Sequence, residues 1–383
     1  MRLHPDLEGR SLVDALRRGG VVGAGGAGFP TWAKLQTPLP LLVVNAQESE
    51  PGFIADKWLH RTYARELLDV LTHLRTQGCT QTIVAAKQKD RAWLEPQIQL
   101  AGSSAVVVDA TGRNRPVPSA HAQRLLFAFT DDRYAFGMES ALVMIVANAK
   151  IPPFERPSQH GIAVINSETL FNIHRLLSTG VPVVDKLVHV FGATPRHTLA
   201  RVPIGTPASV VLEDAGVTVD DIEARGFVVV DGGPGWFTPV DPRRAVVTRR
   251  TNGLLVLDPA VVDVTKKDVF ATKKKLGYPA EGALPPSSPT MLTPSVVRVP
   301  LVDNATLKGV RPALPCVQIG DDVVAGQTLA VADVEGFSVD VHASIAGTVV
   351  AVGDDGVTIS AEAVADGAFG RIHQTSSEQE RAT

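Results

Sequence analysis

The chain of 383 residues contains only two cysteines, Cys79 and Cys316, far apart in sequence. An iron–sulfur cluster is usually held by about four thiolates, and a cysteine-built zinc site needs several. Neither can form within this chain. A disulfide framework is not expected either, and both thiols read as small buried or half-buried hydrophobes. A surplus of one charge is also missing. Lys and Arg number 37 against 40 Asp and Glu, a formal net charge of −3. That gives no general pull toward nucleic acid or an anionic membrane. No apolar run approaches the roughly 20 residues of a membrane span. The first residues, MRLHPDLEGRSLVDALRRGG, are charged throughout and lack the apolar centre of a secretory signal. The expectation is a cytoplasmic protein with no nucleic-acid partner and no membrane span.

What is present suits a folded protein of two or three domains: 44% of residues are hydrophobic and 20% charged. SLVDALRRGG (11–20) has helical spacing, with Ser11 as N-cap and Gly19-Gly20 as the stop. PLLVVN (40–45), TIVAAK (82–87) and AVVVDA (105–110) read as buried strands. Helices are expected at 55–78, in RAWLEPQIQL, at 139–150 and at 167–180. This alternation predicts an α/β domain with a mostly parallel sheet over residues 1–180. Short strands around ASVVLEDAG predict a small α+β module at 181–240. Residues 241–294 hold a further strand, a basic helix-like piece and a Pro/Ser-rich linker. Residues 295–365 read as a small all-β module with Gly turns, and 366–383 as a disordered tail.

Two stretches carry the chemistry. In GAGGAGFPTWAKL (23–35), Gly23, Gly25 and Gly28 fit G-x-G-x-x-G. In a dinucleotide-binding βαβ unit that loop follows a strand and opens a helix. Here a helix precedes it and the first strand follows, so the usual reading fails on context. Glycine still lets backbone N–H groups approach a phosphate or a flat ring. The loop reads as a ligand surface, with a mobile or tightly packed connector as the alternative. NAQESEPGFIAD (45–56) lies at a strand end, where α/β proteins place ligand contacts. Its amides, Asn45 and Gln47, and carboxylates, Glu48 and Glu50, could bond a flavin edge or a ribose. The alternative is a solvated acidic turn.

Together these stretches resemble the FMN- and NADH-binding subunit of respiratory complex I, which reads G-x-G-G-A-G-F-P-T-x-x-K and then N-A-x-E-x-E-P. The chain is closer to the cobalamin-reductase and Rnf-complex C branch. RYAFGMESALV (133–143) and GIAVINSETLFNI (161–173) resemble that branch's later segments. HVFGATPRHTLARVPIGTPASVVLEDAG resembles its soluble-ligand-binding β-grasp (SLBB) module, and residues 295–365 resemble its barrel-sandwich hybrid.

The resemblance implies FMN lying across the Gly loop and the strand end, with NADH or NADPH stacked on it. Gly23, Gly25 and Gly26 would approach the FMN, within a loop completed by Ala27 and Gly28. Lys34 would offer its charge to phosphate or a ring carbonyl. Asn45, Gln47 and Glu48 would contact the flavin edge. Phe29 would stack on the nucleotide's adenine and Glu50 would bind its ribose. Gly137 and Glu139 would line the nicotinamide side. Asn166 and Thr169 would sit near the FMN phosphate, at a helix N-terminus that favours anions. The implied activity is NAD(P)H oxidation through FMN, with a cobalamin-like molecule or a partner redox protein as acceptor. The alternatives are an accessory subunit without turnover and a ligand-binding module.

The chain departs from the family at Ala24 (arginine in complex I), Gln47 (aspartate) and Ser49 (cysteine in the branch). Ile165-Asn166 replaces an Asn-Asn pair, so one expected flavin contact is missing. Where the branch has cluster-binding cysteines, this chain reads KKDVFATKKKLGYPAEG. Its lysines, Lys266, Lys267, Lys273, Lys274 and Lys275, could dock an acidic partner or form a solvated helix face. The VHASIAG turn lacks the Met-Lys of lipoyl and biotinyl carriers. His342 in that turn reads as a satisfied histidine rather than a ligand.

Overall fold

The structure, a computed structural model, describes residues 1–35, 40–112, 124–261 and 289–362. The basic run at 266–275, most of the linker and the tail lie outside the described residues.

The first sheet has five strands: β1 (Leu41–Asn45), β2 (Gln81–Lys87), β3 (Ala105–Ala110), β4 (Leu125–Thr130) and β5 (Ile162–Asn166). Their order is β3-β4-β2-β1-β5, and every pairing is parallel. Six helices accompany them: α1 (Leu12–Arg18), α2 (Ala55–Thr62), α3 (Ala64–Thr76), α4 (Arg91–Ala101), α5 (Glu139–Ala147) and α6 (Ser167–Thr179). The long helix expected at 55–78 is thus two, broken at Tyr63. Strand residues alternate between two cores. Val44, Phe127, Phe129 and Ile165 face Leu16, Leu67, Leu71 and Ile173 from α1, α3 and α6. Val43, Leu126 and Val164 face Leu142, Val143 and Val146 of α5. Helices on both faces explain why the central strands are apolar throughout. The chain leaves β1 toward β2 on one side and returns as β5 on the other. That reversal opens a crevice at the strands' C-terminal ends, the usual ligand position in such sheets.

The second sheet is mixed: β6 (Asp185–Gly192), β7 (Thr198–Pro203), β8 (Val228–Gly233), β9 (Trp236–Val240), β10 (Gly253–Leu257) and β11 (Thr290–Met291), in the order β11-β7-β6-β10-β8-β9. Helices α7 (Ala208–Asp214) and α8 (Val219–Ala224) cover one face through Val211, Leu212 and Ile222. On the other face Phe191, Val230, Phe237 and Leu255 pack with Phe53 of the first module.

The third module is all β: β12 (Val296–Pro300), β13 (Leu314–Pro315), β14 (Asp322–Val323), β15 (Thr328–Val331), β16 (Val341–His342), β17 (Gly347–Gly353) and β18 (Gly356–Ser360). They form sheets β12-β18-β17-β14 and β13-β15-β16 around Val297, Val299, Leu329, Val341 and Ile359. Cys79 is buried as expected, but Cys316, at the end of β13, is exposed.

The modules meet at Arg249. Its Nε donates to Asp303 Oδ2 at 2.8 Å, with the two side chains 4% and 3% exposed. Its Nη1 donates to the carbonyls of Gly20 and Asp340, both at 3.2 Å. Trp32 Nε1 donates to Ser338 O at 2.8 Å, and Phe337 packs on Phe29 and Trp32. The third module therefore sits against α1 and the Gly loop. His342 is buried at this junction, and burial, with Arg249 nearby, pushes its pKa down to about 4. Among the described residues its Nδ1 has no hydrogen-bond partner.

Candidate functional site

The crevice between β1 and β5 continues into a cleft of about 540 Å³, part of it open to solvent. Gly25, Asn45, Glu48, Glu50, Gly137 and Asn166 line it, as do Phe53, Asp56, Glu168, His189 and Asn252. Parallel register sets Asn45 directly beside Asn166 at the ends of their strands. Asn45 Nδ2 donates to Gly137 O at 2.8 Å, and its Oδ1 accepts from Gln47 N. Asn166 caps α6, its Oδ1 accepting from Glu168 N at 2.9 Å.

The Gly loop closes on itself. Gly23 N donates to Phe29 O, and Gly28 N to Gly23 O. Ala24 N donates to the buried Thr169 Oγ1 at 2.9 Å, which fixes the loop to α6. The amides of Gly25, Gly26 and Ala27 make no hydrogen bond among the described residues. A Cβ on Gly25 would come within 3.0 Å of the Asn166 side chain. Gly26 has φ +103°, which side-chain-bearing residues rarely adopt. Three amides left free beside a capped helix N-terminus are groups that can bond an anion. The side chain that Gly25 lacks leaves room for Asn166 to pack against the loop, and both residues line the cleft, so the residues present fit FMN.

Other expected residues are already committed. Glu48 has φ 39°, and its carboxylate turns back to accept from the amides of Asp56 and Lys57, capping α2. Its burial raises its pKa, against the pull of Lys57. Gln47 is fully buried, with Oε1 accepting from Thr130 Oγ1 and Nε2 without a partner among the described residues. Lys34 Nζ donates to Glu139 Oε1 at 2.5 Å and to Val164 O at 2.8 Å. It is held there rather than at the free amides. Glu50 accepts from Tyr134 OH at 2.6 Å and from Gly235 N at 2.8 Å, tying the second sheet to the cleft. Phe29 departs most from its expected role. It is 7% exposed, with Phe337 on one side and the Arg156 guanidinium 4.5 Å from its ring. A stacking nucleotide would first have to displace one of them.

Sequence reasoning missed the cleft's second wall. His189 stacks on Phe53 at 4.2 Å, accepts from Ile54 N at Nε2 and donates from Nδ1 to Asn252 O. Both bonds suit the neutral ring, and burial pushes its pKa down to about 3. Asp56 accepts from Asn166 Nδ2 at 2.9 Å on both oxygens. Glu168 binds Lys186 Nζ and Leu187 N. Asp56 and Glu168 stand within motifs the sequence displays. His189 and Asn252 come from the second sheet, and nothing local marks them.

The geometry defines a parallel α/β protein with a cleft at its strand ends, lined in part by Gly25 and Gly137. Comparison makes the class specific. Residues 16–175 match the family model of the Nuo51 FMN-binding domain, and residues 290–365 that of the RnfC barrel sandwich hybrid domain. The chain thus combines a segment matching the Nuo51 FMN-binding domain with one matching the RnfC barrel sandwich hybrid domain, and the curated proteins it resembles are cobalamin reductases and RnfC-type components. The cobalamin reductase PduS of Salmonella typhimurium is 32% identical over 256 residues, covering 66% of this chain and 51% of that protein. The RnfC-type component of the ion-translocating oxidoreductase complex of Actinobacillus succinogenes is 29% identical over 251 residues, covering 64% of this chain and 33% of that protein. The chain thus spans about half or less of these relatives. An NAD⁺-reducing [NiFe]-hydrogenase structure in the H2-reduced state aligns with TM-score 0.50 and 22% identity, over 68% of this chain and 49% of that one. That likeness is one of fold. Among the described residues no helix is long and apolar enough to cross a membrane.

Proposed function

We propose that the chain is an FMN-dependent NAD(P)H:acceptor oxidoreductase. The observation that carries this reading is the pairing of Asn45 with Asn166 beside three free loop amides, inside the segment that matches the FMN-binding family. Bound FMN would supply the chemistry, taking two electrons and a proton from NAD(P)H and passing electrons on. The protein's part is to bind and orient. Gly25, Gly26 and Ala27, with the N-terminus of α6, would hold the phosphate. Asn45, locked by Gly137, would meet the ring edge. The proposed site also includes Gly23, Gly28, Phe29, Lys34, Gln47, Glu48, Glu50, Glu139 and Thr169, most of them as supports. Lys34, for example, is tied to Glu139 and the β5 backbone.

The two cysteines cannot hold a cluster, so electrons would leave the flavin directly. A relative named cobalamin reductase favours a cobalamin-like acceptor, and relatives in an ion-translocating complex favour a partner redox protein. The second sheet is proposed as the SLBB module, between a flavin domain at 1–180 and the barrel at 295–365; through β10 and β11 it runs past the bound of 240 expected from sequence. A cytoplasmic location belongs to the same reading. Two observations favour a second one, an accessory subunit without turnover: Ile165 sits in the core where the family has a second asparagine, and Phe29 is covered.

The test is an anaerobic absorbance titration of the full chain with FMN and then NADH. Flavin that binds and bleaches supports the oxidoreductase. Flavin that binds without bleaching with either NADH or NADPH supports the accessory subunit. Flavin that is not retained refutes both.

A further inference from the structure

Four carboxylates line the cleft: Glu48, Glu50, Asp56 and Glu168. An anionic cofactor entering it meets negative charge unless that charge is matched. Three of the four are matched. Glu48 takes two amides of α2 and has Lys57 Nζ at 4.0 Å. Glu50 takes Tyr134 OH and Gly235 N. Glu168 takes Lys186 and Leu187 N.

Asp56 differs. Among the described residues it forms no ion pair, although its neighbours Glu48 and Glu168 do. Asn166 Nδ2 lies 2.9 Å from both of its oxygens. The asparagine's orientation is fixed, because its Oδ1 accepts from Glu168 N. Asp56 therefore receives one neutral donor while only 8% exposed. The charged groups around it are Glu48 and Lys57 at the start of α2, Glu168 on α6 and Lys186 on β6, with Asp90 behind Lys57. His189 is neutral. Both lysines are engaged by other carboxylates.

We propose that Asp56 is the proton-carrying ligand contact of the cleft. When an anionic ligand enters, the Asp56 carboxylate takes a proton from solvent, and the O–H formed is donated to the ligand. Asn166 Nδ2 stays on the carboxyl throughout, so the proton is added without rearranging the α6 cap. Burial, with Glu48 and Glu168 close by, already holds this carboxyl well above the ordinary range. A further negative charge raises it again. The inference rests on the flavin reading and adds to it that binding is coupled to proton uptake.

The test is calorimetric titration of the full chain with FMN, in buffers of different ionisation enthalpy, from about pH 7.5 to 9, above the second ionisation of the FMN phosphate at about 6. The expected result is uptake approaching one proton per FMN. Affinity should fall up to about tenfold per pH unit wherever Asp56 is charged without ligand and neutral with it. Asp56→Asn should bind FMN with no uptake and flat affinity across that window. Uptake that persists in Asp56→Asn, or wild-type binding with no proton exchange at any pH, overturns the proposal. If Asp56→Asn does not fold, wild-type infrared difference spectra decide: a protonated-carboxyl band must appear on adding FMN at the upper end of the range, and its absence overturns the proposal. Wild-type protein that binds no FMN at any pH refutes the flavin reading itself, a distinguishable result.

Discussion

Replacing Arg249 with methionine removes the group that joins all three modules. The ion pair it breaks is enclosed, with side chains 4% and 3% exposed. Removing one partner of a buried pair costs about 3–5 kcal/mol, because the other charge stays behind. Asp303 would keep only the backbone N–H of residue 249 and remain out of water. The carbonyls of Gly20 and Asp340 would also lose a donor, about 1 kcal/mol each where water cannot replace it. The expected loss is therefore about 4 kcal/mol or more. Denaturant unfolding followed by both tryptophan fluorescence and circular dichroism would measure it. Arg249→Met with Asp303→Leu removes both charges and should recover at least half of the loss. The single variant should also weaken FMN binding, since Gly20 leads directly into the Gly loop. A single-variant loss below about 1 kcal/mol, or a double variant no better than the single one, would refute the argument that the pair is enclosed and works as a unit.

Gly25→Val pushes its side chain into Asn166 and should weaken FMN at least tenfold; loosening the α6 cap should cost about 1 kcal/mol of stability. Unchanged affinity in a flavin fluorescence titration would remove the loop from the site. Lys34→Met should lower FMN affinity less than about threefold, because that ammonium is engaged by Glu139 and Val164 O. A hundredfold loss would mean that the lysine swings to the ligand. His60 lies between Gln97 and Ser167, and its burial pushes the pKa down to about 4. A depressed value means that its stabilising contribution is complete above the unfolded pKa of about 6.5 and is lost as pH falls toward 4, some 2 kcal/mol by pH 5. His60→Gln should flatten that part of the stability–pH curve, and an unchanged slope would count against it.

Much of the first module was legible because its signals are local. An apolar run ending in Asn marks β1, Ser11 and Gly19 bound α1, and the glycines of 23–28 announce a close backbone approach, whereas β5 was not read as a strand. The strand LLFAFT went unread although it is wholly buried, because a short run apolar throughout has no period to separate strand from helix. The break at Tyr63 carries no Gly or Pro and was equally silent. The site was legible on the side built from residues 23–56, Gly137 and 166–169. Phe29 reads as an available ring, but its cover, Phe337, arrives from a strand-rich module far along the chain. His189 and Asn252 likewise acquire meaning only when β6 and β10 pair. Side-chain commitment, as at Glu48 and Lys34, depends on partners that local sequence does not display.

The cleft's walls are widely separated in synthesis. Asn45 leaves the ribosome early, whereas Asn252, on the facing wall, follows 207 residues later. At about 5–20 residues per second that is roughly 10–40 s of translation. During this interval Phe53 and the apolar edge around it have no second sheet to cover them, so the nascent chain presents a sticky surface and suits chaperone protection.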